Sequence, residues 1–473
     1  MHPEPTPQEF LNERDNILIA PAWFGKTYFI ADCVSQATNR QLILTHTQAG
    51  VASIKEKLRN KGVSNIKYRV ETISSFAQSY VRAFDNTGMI PEEQKSSEYY
   101  PYIINKCIEI LKMKPVQDVV CYSYSGLFVD EYQDCSETHH LLVLELANLI
   151  PTHILGDPMQ GIFNFNGKLV DLEDETVMGR FSKRYELKTP HRWINSGKLQ
   201  LGDEILMIRN AIKSNVDIAL DQFANIEYLK GTYLTNYRQI LSVLLTTPSV
   251  LVIHPISNPI APREKVVAAF KNIPELIEAI DARPFYEYAK LFDNEGNRPA
   301  IDIIDEFIVE LFAKIGKWYN KVEKKFIEKR SETDRKLLSP IKNLMNELSS
   351  KYDLKKVTDI LVAISKLPLV KCYRRDLLRS ILASITEAYQ SGITVTEAMK
   401  KNRDMIRRVG KRIVGKCVGT TLLTKGLEFD TVIVLDADTF DSKNLYVAIS
   451  RCTKRLMVLS QTSKISPYTR TVR

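Results

Sequence analysis

The sequence predicts an α/β protein with two parallel-sheet domains, and three observations carry that expectation. Short apolar runs recur along the chain, each ending in polar or small residues. Helical patterns separate them, the alternation that builds a parallel sheet covered by helices on both faces. A second set of such runs follows after a long interval.

In the first set, NILIA (16–20), QLILT (41–45), GLFVD (126–130) and THILG (152–156) read as buried strands. Ligands of such sheets sit at the carboxyl ends of the strands. The unusual residues of this chain cluster there. The second set is SVLVIHP (249–255), TVIVLDAD (431–438) and RLMVLS (455–460). A lysine-rich helical stretch, roughly 302–412, interrupts it and reads as an insertion. Within it, the charged run 319–336 reads as a solvated helix face. The basic cluster KKNRDMIRRVGKRIVGK (400–416) reads either as another solvated face or as a set of phosphate contacts.

A chain of 473 residues can hold two or three cores. Lys and Arg number 65 against 56 Asp and Glu, a net charge of +9 that suits a polyanionic partner without requiring one. No apolar run approaches the roughly 20 residues that span a bilayer. The start, MHPEPTPQEF, has no basic or apolar character of a signal peptide. Seven scattered cysteines without a CxxC pair point to a reducing cytoplasm, and away from a disulfide framework or a zinc site.

Two motifs carry chemistry. NILIAPAWFGKT is a strand, a Gly25-Lys26-Thr27 loop and a helix start. Backbone N–H groups at a helix N-terminus cradle phosphates, Lys26 reaches the β- and γ-phosphates, and Thr27 holds Mg²⁺. The loop residues Ala20, Pro21, Ala22, Trp23 and Phe24, with Tyr28 beyond, complete the nucleotide-binding segment. GLFVDEYQD supplies the partner: Asp130 at a strand end to hold Mg²⁺, and Glu131 to polarise the attacking water. An acidic loop after a buried strand is the bland reading of that motif. Its pairing with an upstream GKT favours ATP hydrolysis.

DEYQD resembles motif II of the superfamily 1A helicases of the UvrD/Rep/PcrA type, and further segments resemble the remaining motifs in order. LTHTQAG (44–50) is similar to motif Ia, TISSF (72–76) to Ib and GDPMQGIFNFNG (156–167) to III. TPHRW (189–193) is similar to motif IV, TKGLEFDTVIV (424–434) to V and LYVAISRCTKRLMVL (445–459) to VI. The resemblance implies two RecA-like domains of P-loop NTPase type, with reduced helical insertions and ATP held between them. It implies that Gln160 senses the γ-phosphate, and that Arg192 and Arg451 act as arginine fingers. Glu428 would contact the ribose, Gly426 would allow close backbone approach, and Gln8 would read adenine. His191 stands where relatives stack a tyrosine on the base. For single-stranded DNA, the resemblance implies contacts from Thr45, His46, Thr47, Thr72, Ser74, Phe163 and Phe165.

The corresponding division is 1–84 and 123–188 for domain 1A, with a small 1B-like insertion at 85–122. Domain 2A takes 189–297 and 412–473, with a 2B-like insertion at 298–411. Pro21 and Trp23 replace glycines of relatives, Leu422 replaces a motif V histidine, and Ser74 replaces a frequent histidine of motif Ib. Short insertions and small size resemble the helicase subunit of Gabija-like antiphage systems, which pairs with an OLD-family nuclease. The expected function is an ATP-dependent DNA translocase or helicase moving 3′ to 5′ on single-stranded or tailed duplex DNA. Two rivals stand beside it: a nucleic-acid-stimulated ATPase that senses or regulates without unwinding, and a scaffold with a degenerate nucleotide site.

Overall fold

The computed structural model describes residues 4–85, 90–91, 96–162, 169–256, 258–277, 282–293, 300–372, 375–409 and 415–467. It divides into two compact units. The first contains residues 1–257, 408–415 and 420–473, and the second 258–407 and 416–419.

The first unit holds a six-stranded parallel sheet among the described residues. Its strands are β1 (Asp15–Ile19), β2 (Gln41–Thr45), β3 (Tyr68–Thr72), β4 (Gly126–Val129), β5 (Thr152–Gly156) and β6 (Lys183–Glu186), in the order β3-β2-β4-β5-β1-β6. Four of them are the apolar runs of the sequence, and β2, β4 and β5 are buried at every position because helices cover both faces. The strand β3 alternates, with Tyr68, Val70 and Thr72 buried and Arg69 and Glu71 half-buried. The strand β6, sequence KRYE, is an edge strand paired only to β1 and is largely exposed. Its polar composition suits an edge that must not recruit another chain.

The helices Ser96–Leu111 and Lys114–Ser123 lie in the segment expected as a small insertion. Their apolar face, including Ile103, Cys107, Val116 and Val120, enters the same core as Leu42, Leu127 and Ile154 of the sheet.

A second parallel sheet in this unit runs Val250–Ile253, Phe429–Val434, Cys452–Ser460, Ile226–Lys230. Its first three strands coincide with the second set of apolar runs. The two sheets give two parallel-sheet α/β domains, the fold class expected from the sequence.

The second unit is mainly helical. The helices Ala300–Leu311, Glu332–Ser350, Leu354–Ser365 and Arg375–Ser391 enclose a core around Phe307, Trp318, Ile360, Leu361 and Ile385. Trp318 Nε1 donates to Pro368 O at 2.9 Å, so this large side chain is buried without an orphaned donor. The charged run 319–336 is not a helix face over its first part: Tyr319–Asn320 and Lys325–Phe326 pair as short antiparallel strands, Tyr319 is buried, residues 321–325 are exposed, and a helix begins only at Glu332. The basic cluster 400–416 lies on the helix Val395–Val409 and beyond, but residues 410–414, and the side chains of 403–409, lie outside the described residues.

Candidate functional site

At the carboxyl end of β1 the chain turns through residues 20–25 into the helix Lys26–Gln36. Gly25 caps that helix at φ +87°, where a side chain is strained, and a Cβ there would lie 3.1 Å from His191. The free N–H groups of the first turn therefore line a cleft of about 460 Å³, within the roughly 300–1,000 Å³ of ligand sites. Lys26 is buried, and its Nζ has no hydrogen-bond partner. The nearest carboxylate oxygen is Glu131 Oε1 at 3.4 Å. Burial opposes the ammonium charge, but Glu131, Asp130 and Asp157 outweigh it and hold the Lys26 pKa above its ordinary value. An orphaned, fully charged ammonium beside free helix amides fits a polyphosphate.

Asp130 directly follows β4, and its backbone N–H donates to Leu44 O at 2.8 Å. Glu131 follows at φ +57°, an uncommon conformation for a residue with a side chain. That bend brings both carboxylates to the cleft, where Asp130 Oδ1 accepts from Glu131 N–H at 2.9 Å. Burial and its anionic neighbour push the Asp130 carboxyl up. Burial also opposes the Glu131 charge, but Lys26 and Lys425 hold that carboxylate below its ordinary range. Two adjacent acids, one of them destabilised as an anion, fit a divalent cation. Thr27 lines the cleft beside them.

On the side of the second sheet, Arg451 directly precedes the strand Cys452–Ser460 and is 1% exposed. Its Nε donates to Val447 O at 2.9 Å, and its Nη2 to Ser450 Oγ at 2.8 Å and Gln160 Oε1 at 3.4 Å. Arg192, on the helix His191–Asn195, forms an ion pair with Glu428. Burial lowers the pKa of Arg192 to about 9 and of Arg451 to about 10, so both stay charged at neutral pH.

The structure thus gathers Lys26, Asp130, Glu131, Gln160, Arg192 and Arg451 on one cleft, with Ala22, Trp23, Gly25, Thr27, Tyr28, His191, Gly426 and Glu428. Within the loop, Ala20 and Phe24 are buried, and none of Ala20, Pro21 and Phe24 lines the cleft. Gln8 is exposed on the helix Pro7–Asn12 and does not line it either. The helix is oriented by Phe10, whose ring packs on Phe29 at 5.1 Å.

The expected DNA contacts are more scattered. Thr45, His46 and Thr47 line the same cleft. Thr45 is 1% exposed, and His46 packs on Cys135 Sγ at 3.5 Å and on the His139 ring. Burial lowers the His46 pKa to about 3, so the ring is neutral. Thr72 does not reach the cleft: its Oγ1 caps the helix Ile73–Phe84, accepting from Ser75 N–H at 3.0 Å. Ser74 is half-buried on that helix. Phe163 and Phe165 lie outside the described residues.

Sequence reasoning assigned no role to Lys425, Tyr446 or Arg209. Lys425 Nζ pairs with Asp134 of the acidic motif and donates to Gln160 O. Tyr446 Oη accepts from Ala22 N–H of the loop after β1 at 2.9 Å. Arg209 Nη2 donates to Asp157 at 2.9 Å and its guanidinium lies over the Tyr446 ring. These contacts tie segments of the second sheet to the loops of the first. Lys425 sits directly before Gly426 in the motif V segment, which was its only signal in the sequence.

The Lys425 pair makes a stability prediction. Both side chains are almost fully buried, and breaking such a pair costs roughly 3–5 kcal/mol because one charge stays uncompensated. Lys425→Met therefore lowers the urea midpoint of unfolding. Burial already holds Asp134 at about 6 with Lys425 beside it. Without Lys425 the carboxyl takes up its proton at a higher pH still, so the deficit is largest above pH 6 and shrinks as pH falls. Urea titrations at pH 8 and pH 5 check this; an equal deficit at both would contradict it.

Comparison with known proteins bears on the same segment. Residues 93–172 match the UvrD/REP helicase N-terminal domain. The UvrD/REP match contains Asp130, Glu131, Asp134 and Gln160, so the chain carries a helicase-family segment at the acidic side of the cleft. A search of curated proteins found no match. Among solved structures, the Pif1 helicase of Candida albicans is similar over 99% of this chain and 98% of its own, at 13% identity and a TM-score of 0.38. The PRRSV helicase is similar over 96% of this chain at 11% identity and a TM-score of 0.34. An arterivirus nonstructural protein 10 helicase, solved with DNA, is similar over 95% at 8% identity and 0.35. This chain spans 54% of the PRRSV helicase structure and 62% of the arterivirus one.

Proposed function

We propose that the chain is an ATP-hydrolysing single-stranded DNA motor of the superfamily 1A type, moving 3′ to 5′. The observation that carries the reading is the cleft itself. A phosphate loop with an orphaned lysine, an acidic pair and two buried arginines from distant segments all face one volume of nucleotide size.

Lys26 and the N–H groups of the first helical turn hold the β- and γ-phosphates. Glu131 orients a water molecule and accepts its proton as the water oxygen bonds to the γ-phosphorus. The bond to the β–γ bridging oxygen breaks, leaving ADP and inorganic phosphate. Arg192 and Arg451 offset the charge spread over the transferring group. Thr27 and Asp130 would hold Mg²⁺, which neutralises charge on the phosphate oxygens. Gln160 touches both Arg451 and Asp157, so the γ-phosphate state is communicated to the second sheet.

The division into domains 1A, 1B, 2A and 2B belongs to this reading, as do DNA contacts from Thr47 and Ser74. So does partnership with an OLD-family nuclease in antiphage defence, which the resemblance suggests and co-purification with such a nuclease tests. For the motor itself, strand displacement on a duplex with a single-stranded 3′ tail is the test. ATP-dependent release of the strand is the expected result, with no release from a 5′-tailed duplex. Hydrolysis stimulated by DNA without displacement would leave the regulatory ATPase reading in its place.

A further inference from the structure

We infer that Trp23 is a positioning residue whose indole carries the guanidiniums of Arg192 and Arg451 at the nucleotide site. The inference rests on the reading of the cleft as an ATPase site. Four observations support it. Trp23 sits inside the phosphate loop at φ +74°, a conformation that costs a residue with a Cβ and that glycine would adopt freely. Its ring lines the cleft. Both guanidiniums lie over that ring, with Arg451 Cζ 4.6 Å from its centroid. Trp23 Nε1 and Arg192 Nη1 are buried with no hydrogen-bond partner, so polar atoms on this stack point to a ligand rather than to protein.

The physical need is clear from the charges. Two buried cations close to one another repel, and like charge disfavours each. An aromatic face attracts a cation through its quadrupole, most strongly for Trp and in desolvated sites. Arg451 has other anchors, at Val447, Ser450 and Gln160. Arg192 is held by the ring and by Glu428, whose side chain is half exposed. Removing the ring therefore acts mainly through Arg192. The strain stored at Trp23 is retained because the ring does what a glycine cannot.

The test compares Trp23→Phe, Trp23→Leu and Trp23→Gly. Leucine keeps apolar bulk without a π-face, and glycine relaxes the backbone, so at least one non-aromatic variant is expected to fold. The expected result is a fall in kcat of about tenfold or more for the Leu and Gly variants, with ADP affinity changed by less than about threefold. Phenylalanine restores much of what leucine loses. In an Arg192→Ala background, Trp23→Leu should add little further loss, because the residue acts through the arginine. Leucine behaving as phenylalanine does, or losses that multiply in the double variant, would overturn the inference. A readout without nucleotide separates the two levels. Trp23 emission, taken as wild type minus Trp23→Phe, should change in Arg192→Ala/Arg451→Ala. If it changes while wild type lacks hydrolysis, the stack stands and the ATPase reading falls. If wild type hydrolyses and the emission does not change, the stack falls.

Discussion

Arg451→Ala is expected to lower kcat for ATP hydrolysis by roughly 10³-fold or more, the worth of an arginine that offsets transition-state charge. The nucleotide should still bind, because Lys26 and the helix amides remain. Arg451 is buried and bonded to three partners, so truncation also threatens packing. Arg451→Lys controls for that: it keeps the charge and most of the stem but loses the planar fork. Both variants should share low kcat, with the lysine variant closer to wild type in thermal stability. Single-turnover hydrolysis with saturating ATP measures the chemical step directly. A wild-type rate in either variant would remove Arg451 from the catalytic set.

Lys26→Ala is expected to lose roughly 10²–10³-fold in kcat, together with nucleotide affinity. The reason lies in its neighbours. Lys26 lies among Glu131, Asp130 and Asp157; Lys425 also faces Glu131 and Arg209 pairs with Asp157, so the loss of Lys26 acts mainly by setting Asp130 and Glu131 against the phosphates. Binding and turnover should therefore fall together, unlike the arginine variants, where turnover falls alone. Titration with ADP and steady-state hydrolysis check the contrast. Unchanged hydrolysis in Lys26→Ala would place the chemistry elsewhere.

Much of the site could be read before the fold was seen, for a physical reason. The residues proposed to touch phosphate and metal sit on short local motifs, Gly25-Lys26-Thr27 after β1 and Asp130-Glu131 after β4, and local motifs are visible in a sequence. Strands buried on both faces announce themselves as apolar runs, as in QLILT. The strand β3 hid because alternation in YRVET is a short, ambiguous signal. The strand β6 hid because an exposed edge needs no apolar residues. Contacts that join distant segments were also illegible. Lys425 pairs with Asp134 across 291 positions, and Ala22 bonds to Tyr446 across 424. No spacing rule anticipates such pairs. Trp23 was visible as a departure from glycine, but only the positions of Arg192 and Arg451 explain what the ring does there.

In the proposed function, the acidic pair and the lysine loop form one ATP-hydrolysing site coupled to DNA. The most direct measurement is steady-state hydrolysis by wild type and Glu131→Gln, each with and without a single-stranded oligothymidylate. Wild type should hydrolyse ATP, and faster with the oligonucleotide. Glu131→Gln should bind nucleotide but turn over roughly 10²-fold or more slowly under both conditions, because the group that takes the water proton is gone. Undiminished hydrolysis by Glu131→Gln, or a wild-type rate indifferent to DNA, would contradict it.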